Sequence, residues 1–231
     1  GVKFHNGEEM TAEDVKYTFD LIMEDKDNAL KNLVSPMEKV EIVDNHTIDI
    51  KTKDPTPVLL HKLADVFIVP KDHERLDRWP VGTGPYKLKK YEEEKRIILE
   101  RFENYWDKNA NIETAIMRII PEAKDRINAF RAGKIDLAEF IPPDQYEELK
   151  DEINMVSKPT SRVIFLGTNF RDGPTSKLKV RKAMYHAIDE QEIIKEVMKG
   201  LAKPATQFVS PEILGYNPEI ERLEHDKEKA R

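Results

Sequence analysis

Residues 1–24 read Gly1-Val2-Lys3-Phe4-His5-Asn6-Gly7-Glu8-Glu9-Met10-Thr11-Ala12-Glu13-Asp14-Val15-Lys16-Tyr17-Thr18-Phe19-Asp20-Leu21-Ile22-Met23-Glu24. Asn6-Gly7 is a turn signal that ends an opening strand. Thr11 is a good N-cap, and Asp14 three residues on stands where a capping box carries its acidic partner. Val15, Phe19, Ile22 and Met23 then share one face, so the spacing predicts a helix over 12–24 that buries one side.

The same reasoning carries outward along the chain. Lys39 to Lys53 alternates with period two: Val40 and Ile42, then a turn at Asp44-Asn45-His46, then Ile48 and Ile50, which reads as a hairpin with one buried face. Val58 to Leu63 is a short apolar helix candidate, and Val66 to Val69 reads as a strand stopped by Pro70. After Gly82-Thr83-Gly84-Pro85, strands are expected at Tyr86–Tyr91 and Arg96–Phe102, joined by the charged turn Glu92 to Lys95. Ile112–Ile120 is a further strand. Glu122–Ala132 is a helix with Ala123, Ile127 and Phe130 inward and Gly133 just past its end.

Ile135–Phe140 reads as a strand, and strand, helix, strand in that order usually forms a right-handed parallel crossover. Pro142-Pro143 opens a short helix around Gln145 to Lys150. Val163-Ile164-Phe165-Leu166 puts four apolar residues in a row within Arg162–Asn169, the pattern of a strand covered on both faces. Lys177 to Lys199 is helical, with Val180, Met184, Ala187 and Ile188 as one stripe. Asp189 and Glu192 recap a second helix that Gly200 closes.

Composition narrows the function. In 231 residues, 38 Lys and Arg stand against 44 Asp and Glu, a net charge of −6 with both signs mixed throughout. That balance argues against nucleic acid as a partner. No apolar run approaches the ~20 residues needed to cross a bilayer as a helix. There is no cysteine, which removes disulfides, thiolate catalysis and Cys-ligated zinc.

The six histidines (His5, His46, His61, His73, His186 and His225) stand in no HExxH or HxH arrangement, so no zinc site is encoded locally. Gly82-Thr83-Gly84 lacks the Lys-Ser/Thr of a phosphate loop and leads into a strand, so it reads as a backbone corner. No GxSxG surrounds any serine. Acidic clusters such as Glu92-Glu93-Glu94 read as solvated turns. Tyr105-Trp106 could form an aromatic platform, with packing under the neighbouring hairpin the plainer reading. No catalytic residue, cofactor or metal is therefore expected.

These motifs, taken in order, resemble a known family. Gly1-Val2-Lys3-Phe4-His5-Asn6-Gly7 with Thr11-Ala12-Glu13-Asp14-Val15 is similar to the opening of extracytoplasmic solute-binding proteins of ABC importers, of the peptide/nickel class. The pattern returns in Pro80-Val81-Gly82-Thr83-Gly84-Pro85-Tyr86 and in Asn104-Tyr105-Trp106. It returns again from Pro121 through Arg131-Ala132-Gly133-Lys134-Ile135-Asp136, and from Val180-Arg181-Lys182-Ala183 to Ala187-Ile188-Asp189.

The resemblance implies an α/β fold, two-lobed and periplasmic-binding-protein-like (type II, peptide-binding class). This chain would be an internal portion of such a protein: most of lobe one over 1–166, with an extra subdomain at about 1–80 and the main sheet part at about 81–166, then the start of lobe two over 167–231. A hinge near Val163–Asn169 would let the lobes close on a ligand. The implied function is capture of oligopeptides outside the cytoplasmic membrane and delivery to permease subunits, with a small molecule or peptide as ligand and no nucleic acid. A sensory receptor domain, or a binder of nickel, haem or oligosaccharide, is the alternative, and a peptidase a more distant one.

Expected ligand contacts are Gly167, Thr168, Asn169 and Phe170, where an exposed strand edge could hold a peptide main chain, with Leu30, Asn32, Val66 and Phe67 from lobe one. The resemblance also places the group that captures a peptide's amino terminus beyond Arg231. This chain alone is accordingly expected to expose apolar surface and to bind di- to pentapeptides poorly.

Overall fold

The computed structural model describes residues 1–71, 73 and 78–231. The chain divides into two compact units, Gly1–Ile120 and Pro121–Arg231.

In the first unit, α1 (Ala12–Glu24) spans the predicted helix. The Asp14 carboxylate accepts the Thr11 backbone N–H (2.7 Å) and the Thr11 hydroxyl (3.0 Å), which satisfies the N-cap backbone donor and suits the positive end of the helix dipole. The apolar face of α1 lies against the antiparallel hairpin β1 (Met37–Asp44) and β2 (Thr47–Thr52), with Val40 opposite Ile50 and Ile42 opposite Ile48. Phe19, Ile22, Val34, Met37, Val40 and Val66 form one buried cluster, rimmed by Val15, Met23, Leu30, Leu33, Ile48, Ile50, Leu59 and Leu63. The short helices α2 (Lys31–Val34) and α3 (Leu59–Leu63) supply part of that rim. Ile42, near the hairpin tip, is exposed instead, beside an irregularity in pairing between Ile42 and Asp44.

The unit also holds a separate antiparallel meander, β3 (Tyr86–Glu92), β4 (Arg96–Arg101) and β5 (Thr114–Arg118), in that order across the sheet. Leu88 faces Leu99, and Ile98 faces Ile116. The turn between β3 and β4 closes with Glu94 at φ 57° and the Lys95 N–H on the Glu92 carbonyl at 3.0 Å.

The expected strand at Val66–Val69 is not one. The Val66 N–H bonds the Leu63 carbonyl at 3.1 Å, the Val69 N–H goes to the Thr18 hydroxyl of α1 at 3.1 Å and, just beyond, the Lys71 N–H to Asp14 at 2.8 Å. Asp14 and Thr18 are buried for that reason. An extended segment needs partners for its amides, and here a helix provides them in place of a neighbouring strand.

In the second unit, α4 (Ala123–Arg131) buries Ile127 and ends as predicted at Gly133. The Gly133 N–H bonds the Phe130 carbonyl and the Lys134 N–H the Ala129 carbonyl, both at 2.9 Å. This Schellman arrangement puts Gly133 at φ 64°, where a side chain would be strained. The expected strand at Ile135–Phe140 does not form, and no parallel crossover follows α4. The Arg126 guanidinium instead donates to the carbonyls of Glu139 (3.1 Å) and Phe140 (2.9 Å).

Helix α5 (Pro143–Leu149) starts on the proline pair and buries Leu149. The Arg131 Nε–Glu152 contact at 2.8 Å ties the end of α4 to the segment after α5. A 3-10 turn at Pro174–Ser176 precedes α6 (Leu178–Ala187) and α7 (Glu190–Glu196). The Asp189 carboxylate caps α7 by accepting the Glu192 N–H at 3.0 Å, as its position predicted. Along the expected stripe Val180, Met184 and Ile188 are half-buried, and Ala187 is exposed.

The terminal helix α8 (Lys227–Ala230) is preceded by a segment pinned to α6 and α7. Its contacts are Arg222 with Glu190, His225 with Asp189, and the Asp226 N–H on the His186 carbonyl. The expected strand at Arg162–Asn169 is absent, since Ile164, Phe165 and Leu166 are each about two-thirds or more exposed instead of covered on both faces.

Candidate functional site

The residues expected to touch a ligand fall into two groups, one in each unit. In the first unit Leu30 and Val66 belong to the buried helix-on-hairpin cluster, Leu30 at its rim and Val66 within it at 8% exposure. The side chain of Val66 is thus committed to packing. Asn32 is exposed at the surface of α2, and its carbonyl accepts the Lys62 Nζ at 2.9 Å and the Ser35 hydroxyl at 3.0 Å. The Lys62 bond ties α2 to α3. Phe67, next to the buried Val66, turns outward and is 81% exposed.

In the second unit Gly167, Asn169 and Phe170 are exposed and Thr168 is half-buried. The Asn169 side chain accepts the Arg171 N–H at 3.0 Å and its carbonyl accepts the Thr175 hydroxyl, so the run ends in a folded turn. From Val163 to Thr168 the backbone makes no hydrogen bond among the described residues. Phe165 meets Phe208 edge to face, with ring centroids 4.9 Å apart. A stretch with free amides and carbonyls and flanking aromatic side chains has the donors, acceptors and apolar faces that an extended ligand or another strand would use.

Phe208 lies far along the chain in a segment without periodicity, and nothing local in the sequence marks it as the neighbour of Phe165. Trp106 was expected to pack under a hairpin. It is 58% exposed, stacked at a tilt on the half-buried Tyr105 with centroids 5.2 Å apart. The Tyr105 N–H on the Phe102 carbonyl holds this turn just past β4 and leaves the indole outside.

The strongest electrostatic perturbations lie on the hairpins. Lys39 and Lys51 flank Glu41 and pull its carboxyl down from 4.5 to about 2. Arg96 and Lys90 do the same to Glu92, also to about 2. Both are cross-strand or turn ion pairs at the surface, where such pairs add little stability. Among the described residues no three His, Cys, Asp or Glu side chains gather as a metal site, and no helix is long and apolar enough to cross a membrane.

The first unit is thus mixed helix and strand and the second helical among the described residues, with exposed backbone and aromatic surface at Val163–Phe170. Comparison with known proteins places the chain further. The profile of the bacterial extracellular solute-binding proteins, family 5 (middle region), matches residues 1–231, and the chain belongs to that family.

The chain is 27% identical to the dipeptide-binding protein of Escherichia coli K12, in an alignment covering all of this chain and 49% of that protein. It is 30% identical to the nickel-binding protein NikA of Staphylococcus aureus over 210 residues, 89% of this chain and 42% of the relative. Among solved structures, NikA from Brucella suis in complex with Fe(III)-EDTA superposes with a TM-score of 0.87 at 28% identity, over 99% of this chain and 49% of that one. The periplasmic binding protein DppA from Helicobacter pylori, in complex with the peptide STSA, gives 0.82 at 26% identity, over 100% of this chain and 51% of that one. The chain spans about half the length of the relatives it matches. The expected fold class, α/β and two-lobed with this chain as part of it, agrees with these structures.

Proposed function

We propose that this chain is part of the solute-binding component of an ABC-type importer, which captures a small solute, an oligopeptide first, outside the cytoplasmic membrane and hands it to permease subunits. The observation that carries this reading is the match of the family profile to all 231 residues. Relatives named for binding dipeptide, glutathione, nickel and heme support the general activity of capture. Those relatives are named as binding proteins, and the proposed task involves no bond-making.

In this reading the lobes are 1–166 and 167 onward. The run Val163–Asn169, with its free backbone groups, is the hinge and edge where the lobes close on the solute. Gly167, Thr168, Asn169 and Phe170 are the proposed ligand contacts in the second unit, and Leu30, Asn32, Val66 and Phe67 those in the first. A nickel complex is the second reading, favoured by the 30% identity to the staphylococcal nickel-binding protein.

The test is mass spectrometry of solute that copurifies with the full-length protein, followed by calorimetric titration with what is found. Retention of a peptide and saturable heat are expected. A nickel chelate would select the second reading. Catalytic turnover of the retained solute, or the absence of saturable binding for peptides and nickel complexes alike, would overturn the proposal.

A further inference from the structure

His5 sits half-buried between the opening segment and the corner Gly82-Thr83-Gly84. Three hydrogen bonds join them. The His5 N–H donates to the Gly82 carbonyl at 2.9 Å. The Gly82 N–H points at His5 Nδ1 at 3.3 Å, and His5 Nε2 lies 3.0 Å from the Gly84 carbonyl. A backbone N–H can only donate, so Nδ1 must be the bare nitrogen. A carbonyl can only accept, so Nε2 must carry the hydrogen. The neighbours therefore assign one neutral tautomer to the ring. The Phe102 ring, edge to face at 5.1 Å, keeps the imidazole in that orientation.

We propose that His5 is a pH-sensitive clasp: with Nδ1 bare it holds the Gly82–Gly84 corner to the opening segment, and a solvent proton taken up at Nδ1 opens that corner. Protonation would set N–H against N–H at the Gly82 contact and leave a charge in a half-buried site. The charged neighbour is Lys87 of β3, whose like charge opposes protonation; it is itself paired with Glu100 of β4 at 3.2 Å. The contact from the end of β4 is the uncharged Phe102.

Burial, and after it Lys87, hold the imidazole below its ordinary 6.5, against the opposing pull of the Gly84 carbonyl. The sign follows. The clasp is at full strength above 6.5, where folded and open forms are both neutral, and weakens as pH falls from 6.5 through the lower value of the closed form. The corner leads directly into β3, so its opening loosens the start of the meander.

The inference is independent of which solute is bound, and the test uses the full-length protein. Hydrogen exchange at Gly82–Gly84, corrected for the intrinsic effect of pH, is compared between pH 7.5 and 5 in the parent and in His5→Gln. Glutamine offers one acceptor and one donor but does not titrate. In the parent, corrected exchange is expected to rise by up to about tenfold per pH unit within that window. His5→Gln should show no such rise. Equal protection at both pH values in the parent, or the same rise in His5→Gln, overturns the clasp. Should His5→Gln fail to fold, NMR titration of the histidine ring in the parent decides: a His5 midpoint below 6.5 with the Nε2–H tautomer supports it, and a midpoint at or above 6.5 overturns it.

Discussion

The two units differ in what they bury. In the first, Phe4, Phe19, Ile22, Val34, Met37, Val40, Val66, Val81 and Phe102 are all buried. In the second only Ile127 and Leu149 are, although Ile164, Phe165, Leu166, Phe170 and Phe208 are available to do the same. The difference lies in pairing. In the first unit an amphipathic helix has a hairpin to lie on, so the two apolar faces cover each other. In the second, short helices share no sheet, and the side-chain caps of Asp189 and Asp226 on α7 and α8 do not replace one. Helix caps satisfy backbone groups locally, whereas burial of a large apolar side chain requires a second layer.

The contrast is sharpest for a pair of phenylalanines. Phe19→Ala should cost about 3–5 kcal/mol, read as a shift in the urea midpoint of the first unit, since Phe19 is 4% exposed within the cluster. Phe165→Ala, at a residue 66% exposed, should cost less than about 0.5 kcal/mol, read on the urea midpoint of the second unit. Equal costs would break the comparison.

Asp14→Ala comes next in size. It removes the acceptor for the Thr11 and Lys71 amides together, in a buried setting. A loss of about 2 kcal/mol is expected by chemical denaturation, with faster hydrogen exchange at Lys71. If Lys71 stays protected, the segment after Val66 is held by something other than α1.

The matching change in the second unit, Asp189→Ala, removes the capping bond to Glu192 together with the exposed contact to His225, and should cost about 1 kcal/mol. Lower helicity by circular dichroism is the readout. A larger loss than that of Asp14→Ala would mean that the second unit depends on its caps more than the first does.

The smallest effect is electrostatic. Glu41 lies half-exposed at the surface between Lys39 and Lys51, with its carboxyl at about 2 against 4.5. Because the folded value is the lower one, the ion pairs favour the folded hairpin above 4.5, and that contribution fades as pH falls toward 2. A carboxyl NMR titration should show a low midpoint that climbs toward 4.5 in 1 M salt, where exposed charges are screened within roughly 3 Å. A midpoint unmoved by salt would show a pair less exposed than its position indicates.

The elements that could be read from residues 1–24 and 37–52 were those whose signals are local. Helix α1 lies where Thr11, Asp14 and the Val15–Phe19–Ile22 spacing put it, and the Gly133 cap and the Asp189 cap are equally local. The three strands expected at Val66–Val69, Ile135–Phe140 and Arg162–Asn169 failed for one reason. Apolar runs of four to six residues satisfy the pattern of a strand, but a strand exists only when another segment accepts its hydrogen bonds.

The proposed site was legible as positions and not as geometry. The sequence marks Val66 and Phe67 alike as apolar, and only packing makes one a core residue and turns the other outward. Phe208 carries no signal at all until it is found against Phe165.

Family membership, the helix starts and stops, and the hairpin turns were determined by the chain's own residues, because caps, turns and periodic faces depend on neighbours a few positions away. Tertiary structure alone decided which apolar residues are buried, which extended runs find a ladder, and which tautomer His5 adopts. Each of those depends on groups brought from distant positions, and pairwise contacts of that kind leave no periodic trace in the sequence.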